Sequence, residues 1–145
     1  MKKLILLMLL CSFFACKKDA AKDITKYSWV LEKAVINPAI TVNGKATTDY
    51  KNVYGSQSCL ASNYTYTFLN TGIFQVSSTG ALCDMVANNE TQKWVKNGDE
   101  IRLSGSNSYG IQLFTVNDNS MKNTSTFTNN GVNYTVDYIY KAKSK

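Results

Sequence analysis

The second half of the chain alternates, and the alternation breaks at short Asn/Gly turns. Val132, Tyr134, Val136, Tyr138 and Tyr140 interleave with Asn133, Thr135, Asp137, Ile139 and Lys141. A period of two puts one set on one face of a strand, so that face is expected to be buried. Upstream the same cadence repeats. Strands are expected around Trp94, over Glu100 to Ser104 with Ile101 and Leu103 alternating, over Tyr109 to Val116, and over Ser120 to Thr128. Asn97-Gly98-Asp99, residues 105–108, Asn117-Asp118-Asn119 and Asn129-Asn130-Gly131 separate them. Such spacing demands antiparallel neighbours, because parallel strands need crossovers of a dozen residues or more.

The first half reads similarly with longer gaps. Tyr27 to Ile36 opens the body, with Trp29, Leu31 and Val35 placed on one face and Pro38 ending the run. Ile40, Val42, Asn43, Gly44 and Lys45 form a short hairpin, since Asn-Gly supplies the positive φ angles of a type I′ turn. Residues 50–63 are a long loop. Residues 64–69 alternate aromatics with threonines, which suits a pleated surface. Asn70-Thr71-Gly72 turns the chain, Ile73 to Ser77 returns it, and residues 78–89 form a second loop. No segment after Lys26 has a helical period. About eight strands on short turns imply an all-β protein, an up-and-down antiparallel β-barrel, with a two-sheet β-sandwich as the alternative.

The N-terminus sets the compartment. Lys2 and Lys3 precede an uncharged, mostly apolar run from Leu4 to Phe14, then Ala15 and Cys16. This is the grammar of a secretory signal peptide, too short to span a bilayer. A small residue followed by Cys resembles the lipobox of bacterial lipoproteins. That resemblance implies cleavage after residue 15 and lipid attachment at Cys16. Cys11 is the weaker site, because Leu9 and Leu10 precede it and leave no small residue at the cut. Lys17, rather than Asp, follows Cys16, which favours the outer membrane. The expected layout is a signal peptide over 1–15, a lipidated tether over 16–26 and one domain over 27–145, in the cell envelope.

Charge and cysteines fit export. The net charge is +6, but between Tyr27 and Tyr140 seven basic side chains meet eight acidic ones. The excess lies in the signal, the tether and the tail Lys141, Lys143 and Lys145. Flexible basic ends beside an anionic membrane account for it, and no nucleic-acid partner is expected. With Cys16 acylated, Cys59 and Cys83 form a lone pair in an oxidising compartment and are expected to bridge. With no His and no second cysteine pair, zinc is not expected, nor any cofactor.

The body resembles a family of small lipocalin-like bacterial lipoproteins. The matching features are Trp29 in the first strand, Cys59 before Tyr66-Thr67-Phe68-Leu69-Asn70-Thr71-Gly72, then Cys83, then Trp94, a turn, Ile101 and Leu103. The resemblance implies a barrel more than an activity. With no His, the commonest general base is missing, and no phosphate loop or serine elbow is recognisable, so an enzyme is not expected. Trp29, Tyr66, Phe68, Phe74, Trp94, Tyr134, Tyr138 and Tyr140 either line a cavity for a small apolar or amphipathic ligand or fill the barrel. The first outcome makes the chain a membrane-anchored binding module. The second makes it a surface interaction or inhibitor protein whose loops, 50–63 and 78–89, do the work.

Overall fold

The structure is a computed structural model that describes residues 23–81, 83, 91–105 and 110–145. The signal segment, Cys16 and parts of the expected loop 78–89 and turn 105–108 lie outside the described residues. Nine strands form one antiparallel sheet: β1 (Tyr27–Val42), β2 (Lys45–Asp49), β3 (Thr65–Phe68), β4 (Phe74–Ser77), β5 (Lys93–Asn97), β6 (Glu100–Ser104), β7 (Gln112–Asn117), β8 (Ser120–Asn129) and β9 (Val132–Ser144). The order is β4-β3-β1-β9-β8-β7-β6-β5, with β2 a side branch on β1. The free edges of β4 and β5 nearly meet. Ile73 bridges Lys93, Phe74 N donates to Gln92 O at 3.2 Å, and Trp94 N donates to Gly72 O at 2.8 Å. The result is an eight-stranded, nearly closed up-and-down barrel, as expected, and not a sandwich. Closure removes most of the unpaired edge that a flat sheet would expose.

The turns follow their residues. Asn43 and Gly44 take φ of 51° and 76°, and Asn130 and Gly131 take 50° and 77°. These are the paired positive angles that let a two-residue loop match strand twist.

Three expectations are corrected. Pro38 does not end the first strand. β1 runs through it to Val42, because its ladder to β9 finishes at Asn37 opposite Thr135 and its ladder to β2 is interrupted between Val35 and Ile40. A proline costs little where no partner needs its N–H. Val35 does not share a face with Trp29 and Leu31. Leu31 pairs with Tyr140 and Lys33 with Ile139, so Glu32 is an extra residue in a bulge. The bulge shifts the inward set from Trp29 and Leu31 to Ala34 and Ile36, and Val35 turns outward. The basic C-terminal end is not a flexible tail. Lys141 and Lys143 lie in β9, paired with Val30 and Ser28.

Two apolar clusters result. The larger fills the barrel with Trp29, Leu31, Tyr66, Phe68, Ile101, Phe114, Val116, Met121 and others. A short 3-10 turn, Ile24–Lys26, plugs the lower end. Asp23 caps the turn, accepting from Thr25 N at 3.2 Å and Thr25 Oγ1 at 2.6 Å. Ile24 is buried, and its carbonyl accepts from Trp29 Nε1 at 3.1 Å. Lys145 Nζ donates to Thr25 O beside it. The smaller cluster, Ala34, Ile36 and Val136, lies on the far reach of β1 and β9.

Candidate binding cleft at the open end of the barrel

The lower barrel is packed with rings. Tyr66 is central, with ring centroids 6.4 Å from Phe68, 6.0 Å from Phe74, 5.3 Å from Phe114 and 5.4 Å from Tyr140. The last two contacts are edge-to-face, the favoured geometry for aromatic quadrupoles. Phe68 meets Trp94 edge-on at 5.6 Å, and Trp94 Nε1 donates to Leu69 O at 3.0 Å. Trp29 and Phe68 have no exposed surface. Trp29, Phe68, Phe74 and Trp94 therefore serve as filling.

Above them the barrel opens into a cleft of about 540 Å³. Its floor is Tyr66 and Tyr140. One wall is Leu60 and Tyr64, from the chain entering β3. The opposite wall is Ile111, Gln112 and Leu113 at the start of β7, with Asn123, Thr124 and Ser125 from β8 and Tyr138 from β9. Of the eight aromatics singled out in the sequence, Tyr66, Tyr138 and Tyr140 reach the cleft. Tyr134 lies further along β9, stacked on Phe127 at 5.3 Å. The polar wall is not among the residues expected from the sequence. A signal for it exists: Asn123 and Ser125 share the β8 face of buried Met121, and a polar residue in an inward register marks the wet mouth of a barrel.

The cleft is uncharged. None of its lining side chains is acidic or basic. Tyr66 OH lies 3.4 Å from Gln112 Oε1, and Asn123 Nδ2 donates to Leu113 O at 2.7 Å. Burial pushes the Tyr66 and Tyr140 phenols well above their ordinary range, and neighbouring phenols add to it. Burial also raises Tyr138, offset in part by a hydrogen bond with Ser125. All three hydroxyls stay protonated at neutral pH. The cleft thus offers ring faces, hydroxyls and amides, and no counter-charge.

The mouth is held by the disulfide. Cys59 and Cys83 are bonded, with Cα atoms 5.1 Å apart, joining the chain before β3 to the chain after β4. Ser78 Oγ lies 2.9 Å from Cys59 O and 2.6 Å from Ser62 O, and Thr79 N donates to Ser62 O at 2.8 Å. Gly80 passes so close that a Cβ would stand 2.7 Å from Ser58 O and 2.8 Å from Gln57 O, so only glycine fits.

The buried phenols link stability to alkaline pH. An unfolded tyrosine loses its proton near pH 10. The folded Tyr66 and Tyr140 hold theirs to higher pH. Their contribution is complete below pH 10 and is lost as pH rises from there towards the folded values, by up to about 1.4 kcal/mol per pH unit for each group. Urea midpoints should be level between pH 7 and 9 and fall above pH 10. The Tyr66→Phe/Tyr140→Phe double variant should fall much less steeply, and an equally steep fall would show that these phenols carry none of the dependence.

The fold and cleft define a class: a small, nearly closed antiparallel β-barrel with one plugged end and one open, uncharged end. Comparison with protein-family models, curated proteins and solved structures gives no match.

Proposed function

We propose that this chain is an exported, lipid-anchored binding protein of the lipocalin-like kind that holds a neutral amphipathic molecule in the open-end cleft. The observation that carries the reading is the cleft itself. Its volume falls within the roughly 300–1,000 Å³ of small-molecule sites, and its lining sets aromatic and aliphatic side chains beside a comparable share of polar surface, which suits an amphipathic ligand.

The polarity of the barrel supports the anchor. A tether from Cys16 would reach the domain at Asp23, beside the plug and away from the cleft. The same end carries Lys143 and Lys145, which suit an anionic lipid surface, besides Lys26, whose charge is paired with Asp23 at 2.9 Å. The cleft would then face away from the membrane and meet ligand from the aqueous side. The packed lower barrel supports a second reading, in which the loops contact a protein partner.

One titration separates the two. The purified protein should bind the uncharged probe N-phenyl-1-naphthylamine saturably at one site. Tyr138→Ala should weaken it at least tenfold, which corresponds to about 1.4 kcal/mol. Unsaturable binding, or binding indifferent to Tyr138→Ala, would remove the cleft reading and leave the loop reading. For the anchor, a tagged fatty acid fed to cells should label the wild type and not the Cys16→Ser variant; equal labelling of both would refute attachment there.

A further inference from the structure

The sheet outgrows the barrel on one side. β1, β8 and β9 have 16, 10 and 13 residues, whereas β5, β6 and β7 have 5, 5 and 6. The surplus stands beyond the mouth, and the face that continues the barrel interior is covered with rings. Tyr138, part of the cleft wall, meets Tyr50 edge-on at 6.4 Å. Tyr50 lies 6.3 Å from Phe127 and 6.3 Å from Tyr54, and Phe127 stacks on Tyr134. Tyr54 and Phe127 are 67% and 39% exposed. Cleft and rings are therefore continuous through Tyr138. From Tyr140 to Tyr134 is six steps along β9, about 20 Å at strand rise.

We infer that cleft and ring track form one elongated site for a neutral oligosaccharide. The inference rests on the binding reading above and adds the class of ligand. The rings present apolar faces to the C–H faces of sugar rings, and most carry a hydroxyl at the edge. Gln112, Asn123 and Ser125 supply hydrogen-bonding groups along the cleft wall. Gln112 Oε1 and Asn123 Nδ2 already meet Tyr66 OH and Leu113 O, and the further donor and acceptor capacity of these side chains is matched by sugar hydroxyls and by nothing on an acyl chain. A charged polymer would find no opposite charge among the side chains that line the cleft. The length exceeds what a single sugar ring can fill, so successive rings of a chain would share the contact.

The test uses the full-length protein and calorimetric titration with maltohexaose, cellohexaose and xylohexaose, each beside its disaccharide. At least one hexasaccharide should bind ten or more times tighter than its disaccharide. Tyr54→Ala and Phe127→Ala change exposed rings outside the cleft. Each should cut hexasaccharide affinity at least threefold and leave the naphthylamine probe unaffected. If the probe binds and no hexasaccharide does, the oligosaccharide inference falls and the cleft reading stands. Equal affinity for long and short sugars overturns the elongated site. Displacement of the probe by 1-dodecanol but by no sugar assigns an acyl chain instead. If neither probe nor sugar binds, both readings fall.

Discussion

Trp29→Ala should cost the domain about 3–5 kcal/mol, the range for deleting a large buried aromatic. That is a third or more of the stability of a marginal domain. The position explains the size. Trp29 sits on β1, the strand that joins the two halves of the barrel, opposite Tyr66 of β3 and Ala142 of β9. It has no exposed surface, and its ring meets Tyr27 at 6.5 Å. Its indole N–H is also the donor to Ile24 O, so the alanine variant loses core volume and frees the plug together. Trp29→Phe separates these effects. It keeps most of the apolar contact but removes the donor, leaving a buried carbonyl short of a partner, and should cost less than Trp29→Ala. Urea denaturation followed by circular dichroism would check both. The midpoint should fall with the slope unchanged. An alanine variant within 1 kcal/mol of wild type would mean that the lower end does not close the barrel as described.

How far the sequence could be read depended on whether a feature was local. The hairpins were legible because Asn43-Gly44 and Asn130-Gly131 carry their own backbone requirement, and the inward face of β9 was legible from its alternation. The meander followed from short turns. Pro38 was misread because its cost depends on whether a partner strand needs its N–H, a fact about register that Pro38 does not encode. Val35 was misplaced because the bulge at Glu32 adds one residue, marked in the sequence only by Lys33 interrupting the alternation of Trp29, Leu31 and Val35, and one residue suffices to exchange the two faces. Lys141 and Lys143 looked like a solvated tail because charge is visible in a sequence and pairing with Ser28 and Val30 is not. The candidate site split along the same line. Alternation shows which face an aromatic takes but not its depth, so Trp29, Phe68, Phe74 and Trp94 could not be told apart from Tyr66, Tyr138 and Tyr140. Leu60 and Tyr64 were hidden because the expected bridge between Cys59 and Cys83 does not say which side chains beside it turn towards the mouth.

That bond gives the second large effect. Replacing both Cys59 and Cys83 by serine should destabilise the protein by about 3–4 kcal/mol on the chain-entropy model, because the bridge closes a loop across 24 residues of sequence separation. For a domain of this size the loss corresponds to a fall in Tm of roughly 10–15 °C. The barrel should survive at room temperature, since the β1–β9 and β8–β9 ladders and the Trp29 plug do not involve the bridge. The cleft should suffer first. Leu60 adjoins Cys59 and Tyr64 lies just beyond, and both line the mouth. Without the bridge Tyr64 keeps its hydrogen bond from Leu31 N and its ring contact with Tyr66, whereas the stretch around Leu60 loses its covalent tie and keeps the hydrogen bonds of Ser78 and Thr79 to Cys59 O and Ser62 O. The serine variant should therefore lose probe affinity at temperatures where its circular-dichroism spectrum is still native, and the two losses should be separated by several degrees. Coincident loss of probe binding and β-structure would show that the mouth and the barrel unfold as one unit. Full probe affinity in the serine variant would show that the bridge stabilises the chain without shaping the site.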